Sequence, residues 1–192
     1  MLATLDAFKR ALLIPAAIVD QDEELSAVLS VASTRIEQEI GCELGYSQRV
    51  ETLDGSGTKY QRLRSFPVHS VSGVKVGGAD AEGFEVAASA GMLYRSGGWA
   101  SGDRNVVVTL TAGYLLPGAT PPDGVDPAPA PLPTPIERAA IVLARMIYAG
   151  EWGKDSERLG NSYSVTYSKG RPGGLPPVVE ALLSPYTRRD RV

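Results

Sequence analysis

The sequence predicts an α+β fold, with a helical core formed from the N- and C-terminal helices and a small antiparallel β unit inserted between them. Three observations lead there. Apolar residues recur at three- and four-residue steps within the first 41 residues and again in 134–152. From Gln48 the period becomes strand-like, and glycines begin to punctuate the chain. The stretch 134–152, TPIERAAIVLARMIYAGEW, is apolar over most of a helical circumference, broken only by Arg138 and Arg145. Such a helix must be covered on several sides, by its own chain or by neighbouring subunits. Helices at the two ends of the chain can pack together only if the β unit is looped out.

Taken in order, 1–45 form the first part of the helical core. Thr4 caps a short helix running through Leu13, with Leu5, Phe8 and Leu12 on its inner face and Asp6 near the positive end of its dipole; Pro15 closes it. Asp20 or Asp22 starts a longer helix whose inner face carries Leu25, Val28, Leu29, Ala32, Ile36 and Ile40. Gly41 is its stop. Its outer face carries Glu23, Glu24, Glu37 and Glu39.

The β insertion covers 46–116. RVETL, the turn Asp54-Gly55-Ser56-Gly57 and TKYQRLRSF read as a hairpin, since these loop residues tolerate positive φ. PVHSVSGVKV followed by Gly77-Gly78 gives another strand and turn. FEVAA, GMLYR and NVVVTLTAGY complete about six short strands.

Residues 117–134 are a different material. The stretch 116–133 holds seven prolines and only Asp123 and Asp126 for charge, which predicts a stiff extended or disordered arm rather than a core element. Fully extended it would reach about 55 Å. Residues 135–192 then supply the central helix, a polar loop, a strand SYSVTYS, a short final helix at 178–183 and a basic tail. Thr134, Pro135 and Glu137 read as a capping box with proline in the first turn, and a helix through residue 152 would be about 27 Å long.

The chain has 192 residues, 43% hydrophobic and 21% charged, the composition of an ordinary globular protein. A net charge of −3 makes the whole fold no electrostatic trap for nucleic acid. The charge is uneven: residues 1–41 hold seven acidic side chains against three basic ones, while Arg188, Arg189 and Arg191 face only Asp190 at the C-terminus. Cys42 is the single cysteine, so no intrachain disulfide forms and synthesis in a reducing cytosol is expected. The N-terminus lacks the pattern of a signal peptide, and the longest apolar run, 11–19, is interrupted by Pro15 and too short to span a bilayer.

A search for chemistry finds little. His69 is the only histidine and lies in a strand-like run; no GxSxG elbow accompanies it. One cysteine and one histidine cannot build a zinc site, and no DxDxDG-type loop is present. Cys42 has no basic neighbour to activate it and reads as filler. The glutamates of the second helix read as a solvated charge row that also suits a basic partner. The glycines are turn glycines, none followed by the Lys-Ser/Thr of a phosphate loop. Trp99, in SGGWASG, is either a loop anchor or a contact residue. The terminal arginines are a solvated end, or dock on an acidic surface or a DNA backbone, and Tyr186 beside them suits an interface anchor.

The order of these segments resembles one family. LDAFKRALLIP followed by the D..L...L..A...IE...GC.L pattern, the DG turn with its strands and the PVHSVSGVKV segment are similar to tailed-bacteriophage head-to-tail connector proteins, also called adaptor or head-completion proteins. VVVTLTAGY, the P.P..I..A...L....Y helix and LPPVVEALLSPYTRR continue the resemblance, from Leu5 to Arg189. It implies a structural virion protein without catalysis or cofactor, made in the host bacterial cytoplasm and placed at the neck. Copies would form a ring, twelvefold in known relatives, beneath the portal protein. The ring would extend the DNA channel, without sequence-specific binding and with no membrane, and would dock the next neck or tail protein. By the same resemblance Tyr186, Arg188, Arg189 and Arg191 are expected at the portal, and Glu23, Glu24, Glu37 and Glu39 toward a neighbouring subunit or the channel. The Pro-rich stretch is longer than the family pattern. The competing expectation is a β-rich carbohydrate- or peptide-binding module with helical flanks, which requires an exposed aromatic platform built from Trp99, Tyr94 and Tyr60. A small hydrolase using His69 ranks last.

Overall fold

The computed structural model describes the chain except residues 89, 126, 152–155, 160–162, 167–173 and 188–192, and gives backbone alone for the strands between 156 and 166. The fold is mixed α+β. The chain divides into two compact units, one made of Met1–Gly41 with Leu132–Val192 and one of Cys42–Pro131.

In the first unit, α1 (Leu5–Ala11) begins where Thr4 Oγ1 accepts the amide of Ala7 at 3.1 Å, with Asp6 in the first turn. It ends earlier than Pro15 would require. Leu13 N–H donates to Arg10 O and Ile14 N–H to Lys9 O, while Leu13 itself takes φ +60°, closing the last turn as glycine usually does. Helix α2 (Asp22–Ile40) buries Leu25, Leu29, Ala32, Ser33, Ile36 and Ile40, with Val28 half-buried. Gln21 is its N-cap without a side-chain capping bond, its Oε1 accepting instead the Tyr148 hydroxyl at 3.2 Å, and Gly41 stops the helix at φ +84°. Ser33 Oγ accepts the amide of Leu2 and donates to Leu29 O, which fixes the N-terminus on this helix.

Helix α3 (Thr134–Tyr148) packs against α2, against α1 and against α4 (Pro177–Leu183). Its buried face is Ile136, Ala139, Ala140, Ile141, Leu143 and Ala144, while Arg138 and Arg145 are exposed. The chain's own helices therefore flank the stretch that raised the question of cover. The capping box does not form. Pro133 is the N-cap, and its carbonyl accepts the amides of Ile136 and Glu137, the second being the donor that the Thr134 hydroxyl needs.

The helix is also shorter than expected, 15 residues or about 22 Å. Gly150 at φ +65° donates to Ile147 O, and Glu151 donates to Met146 O, the paired bonds of a Schellman stop. Gly150→Ala places a Cβ on that left-handed residue and should lower stability by about 1 kcal/mol, read as a shifted urea midpoint at unchanged slope.

The second unit contains β1 (Ser47–Gly55), β2 (Tyr60–Arg62), β3 (Val68–Val76), β4 (Ala79–Asp80), β5 (Phe84–Ala87), β6 (Met92–Arg95) and β7 (Gly102–Ala112). They form two antiparallel sheets, ordered β1-β7-β3-β4 and β2-β6-β5. Strand β7 is central because its alternate residues Val106, Val108, Leu110 and Ala112 are all buried; Leu53, Leu63, Val68, Val74, Leu93 and Trp99 belong to the same core. The Gly77-Gly78 turn joins β3 to β4 with φ +58° and +88°, the two positive values a tight hairpin needs.

The expected hairpin between 49–53 and 58–66 is not formed: β1 pairs with β7, and β2 with β6. The DGSG segment crosses between sheets instead. Asp54 Oδ1 accepts the amide of Arg104 at 2.6 Å, and Gly55 N–H donates to Asn105 Oδ1 at 2.7 Å. A Cβ on Gly55 would stand 1.8 Å from Ala100 O, so the glycine, still within β1, serves a close backbone approach.

The Pro-rich stretch is likewise not an extended arm. Leu115 N–H donates to Ala130 O at 2.8 Å, Leu115 bridges Pro131, and Pro129 is buried. Gly118 and Gly124, both at positive φ, turn the chain back, so the stretch closes as a loop on the β unit. After α3, β8 (Ser156–Leu159) pairs antiparallel with β9 (Tyr163–Thr166), so part of the expected polar loop is a strand. Among the described residues no helix is long and apolar enough to cross a membrane.

Candidate assembly surfaces

The four glutamates of α2 do not make one continuous row. Glu23 and Glu24 are exposed in the first turn, where the helix dipole favours them; Glu39 is exposed and Glu37 half-buried near the last turn. About 21 Å of helix separates the two ends. Between them the outward residues are Ala27, Ser30, Val31 and Thr34, small and neutral. Arg35 lies 3.7 Å from Glu39, an i,i+4 pair contributing roughly 0.3–0.5 kcal/mol. The helix thus offers two local negative poles.

Trp99 is not an exposed contact residue. It is 2% exposed, its Nε1 donates to Leu93 O at 3.3 Å, and its ring lies 6.3 Å from that of Phe84, with the Arg95 guanidinium 5.8 Å from the indole centroid. The flanking glycines let the chain fold the indole under the sheet. Tyr60 is exposed and stands 5.2 Å from Tyr94, but without Trp99 the pair is no broad platform.

Tyr186 is half-buried just after α4, where its amide and that of Thr187 both donate to Leu183 O. Arg188, Arg189 and Arg191 lie outside the described residues. His69, in β3, meets the Tyr46 ring edge-on at 5.1 Å. Among the described residues no group of three His, Cys, Asp or Glu side chains could hold a metal ion.

Three charged residues carry more structure than their sequence positions announce. Lys9 is 2% exposed; its Nζ donates to Asp22 Oδ1 at 2.6 Å, to Ala16 O at 3.2 Å and to Ile18 O. One ammonium therefore ties the end of α1, the connecting loop and the start of α2. Glu51 is 8% exposed and accepts the amides of Arg64 at 2.8 Å and Ser65 at 2.7 Å, fixing the connection from β2 to β3. Arg49 donates to Glu43 O, Gly45 O, Ser47 Oγ and Ser65 Oγ, bracing the entry to β1. The available signal was facial: Lys9 falls on the side of α1 that carries Leu5, Phe8 and Leu12, and Glu51 alternates in phase with buried Leu53.

Buried apolar cores, charges spent on bracing backbone and an exposed surface of mixed character suit a protein that makes contacts. Comparison with known proteins agrees. Among curated proteins, no sequence matches the chain. Among solved structures, a chain of the neck of an empty gene transfer agent particle, computed with C6 symmetry, matches over all of this chain and 91% of its own length, with a TM-score of 0.62 at 19% identity. A chain from the virion of a native gene transfer agent particle gives 0.61 at 19% identity over all of this chain and 91% of its own. A neck chain of the native particle computed with C12 symmetry gives 0.57 at 19% identity over 98% of this chain and 89% of its own. At such identity these likenesses concern the fold. The family model described as "Head completion protein" matches residues 1–189, and the chain accordingly belongs to the head completion protein family.

Proposed function

We propose that the chain works as a head-to-tail connector, several copies standing side by side in a ring at the virion neck, beneath the portal protein. The ring extends the DNA channel, does no catalysis and offers its far surface to the next neck or tail protein. The observation that carries this reading is family membership over residues 1–189, joined to a fold shared along the whole chain with neck proteins of particles computed with C6 and C12 symmetry. Twelve copies suit both symmetries.

In this reading the basic tail, with Tyr186, Arg188, Arg189 and Arg191, docks on the portal, and the two acidic poles of α2 face a neighbour or the channel, where negative charge keeps DNA from adhering. The specific arrangement of helices from both chain ends as a common core gives the ring its rigid wall, with the β unit as the inserted module.

Native mass spectrometry of the purified chain, alone and mixed with the portal ring encoded with it, tests the proposal. Many copies on one portal ring are expected, even from a chain monomeric when alone. A monomer that ignores the portal overturns it. Truncation of 185–192 should abolish loading; undiminished loading would move the portal contact away from the tail.

A further inference from the structure

The strongest unexplained feature is the loop 12–19 of the helical unit. Leu13 is 90% exposed, with Ile18 at 46% and Val19 at 62%, and no charged residue occurs from 11 to 19. Leu13 also occupies the residue just past the helix cap at φ +60°, the place and conformation that glycine ordinarily takes. Two local rules are broken at one residue: a branched side chain sits on left-handed backbone, and a large apolar group stands almost wholly in water. Departures of this kind concentrate at functional positions.

The loop is also held in place. Lys9, itself buried, donates to the carbonyls of Ala16 and Ile18, and Ile14 N–H donates to Lys9 O. The exposed apolar side chains of Leu13, Ile18 and Val19 are therefore carried by one preorganised loop, a knob whose ordering cost on meeting a partner is low.

The β unit carries an open recess of about 250 Å³, lined among others by Tyr46, Tyr114, Leu115, Leu116 and Pro122, with no charged side chain among the described residues that line it. A cavity of about 150 Å³ takes a benzene. The recess thus has room for a leucine side chain with part of a neighbouring aliphatic one.

We infer that the 13–19 knob of one subunit seats in the Tyr46–Tyr114–Leu116 recess of the next copy, as the repeating contact of the ring. Knob and recess are different surfaces of the chain, on different compact units, so used head-to-tail the contact repeats from copy to copy and closes into a ring when the rotation allows. Each contact is small, and its effect accumulates when copies are brought together on one platform. The inference rests on the connector reading and deepens it by naming the surface between subunits.

Two variants of the full chain test it. Leu13→Gly removes the most exposed side chain of the knob and relieves the backbone, so its melting temperature should equal or exceed that of the wild type while assembly falls; a structural role for Leu13 would move both downward. Ala119→Trp, at an exposed position on the recess, should block the hole, with Thr120→Trp in its place if that variant folds poorly.

Self-association is followed by sedimentation at high concentration, and loading by native mass spectrometry on the portal ring. Wild type should fill the portal cooperatively, and each variant should give a statistical spread of partial occupancies with at least a tenfold weaker contact between copies. Mixing the two variants should restore one contact, knob into free recess, and give pairs that do not grow.

Wild-type and variant distributions that coincide would overturn the inference and leave the connector reading intact. Weaker binding of a single Leu13→Gly copy to the portal, with unchanged cooperativity, would assign the knob to the portal and also overturn it. Self-association through this contact without portal loading would sink only the portal reading. A wild type that neither self-associates nor loads overturns both.

Discussion

Replacing Lys9 with methionine is expected to destabilise the helical unit by about 3 kcal/mol, within the range for breaking a buried charge pair. Methionine keeps most of the aliphatic stem, so packing around α1 changes little and the loss is chiefly electrostatic. The ammonium is nearly inaccessible and makes three charge-assisted bonds, to Asp22 Oδ1 and to the carbonyls of Ala16 and Ile18. Removing it strands all three acceptors together. The Asp22 side chain is 32% exposed and partly rehydrates, which keeps the expected cost below the top of the range.

The measurement is urea unfolding followed by helical circular dichroism at 222 nm, with Asp22→Asn and the double variant completing a cycle. A coupling energy of about 1–3 kcal/mol is expected from groups in direct contact. A change below about 0.5 kcal/mol would mean that the loop holds itself. Because Lys9 also fixes the loop bearing Leu13, Lys9→Met should weaken assembly although the knob's own residues remain; this is where stability and function share one side chain.

Local signals in the sequence were readable where the structure is governed by local rules. Leu25, Leu29, Ala32, Ile36 and Ile40 at helical steps, Gly41 as the stop, Thr4 as a cap and Gly77-Gly78 as a turn are all found as the spacing indicates. Strand pairing was not readable, because it depends on partners far along the chain. Asp54 and Gly55 have the chemistry of a hairpin turn, yet they bind Arg104 and Asn105, about 50 residues on. The Pro-rich stretch has the composition of an arm; its closure depends on pairing across it, from Leu115 to Ala130 and Pro131, and on the turns at Gly118 and Gly124. Trp99 sits among polar and glycine residues that suggest exposure, and only the sheet above it shows why it is buried. For the assembly surfaces the outward placement of Glu23, Glu24 and Glu39 was legible from period alone. The knob was not, since nothing in LLIPAAIVD reveals that a leucine takes the left-handed place after the helix or that Lys9 turns inward.

Gly113→Ala is expected to cost the β unit about 4 kcal/mol or more, the range reached only when several faults coincide. Gly113 has φ +110°, which side chains of L-residues rarely adopt, a strain of roughly 1–3 kcal/mol. An added Cβ would also stand 2.4 Å from Gly45 O and 2.6 Å from its carbonyl carbon. Neither partner can yield easily. Gly113 N–H is engaged by Pro67 O at 2.9 Å, and the next residue, Tyr114, bridges Gly45 and donates to Leu44 O.

A unit of this size is held by roughly 5–13 kcal/mol, so the substitution removes a large share of its stability. Fluorescence of the buried Trp99 during urea unfolding, in a Trp152→Phe background, reports on the β unit alone. Gly73→Ala in β3 is the control, since its φ is ordinary and an added Cβ meets nothing within 4 Å; it should change stability by less than about 1 kcal/mol. Equal effects of the two substitutions would mean that the approach of Gly113 to Gly45 is not what holds this end of the sheet. Because Gly45 and Tyr114 also line the recess, the same Cβ should widen it, and Gly113→Ala should lose the contact between copies at temperatures where the β unit is still folded.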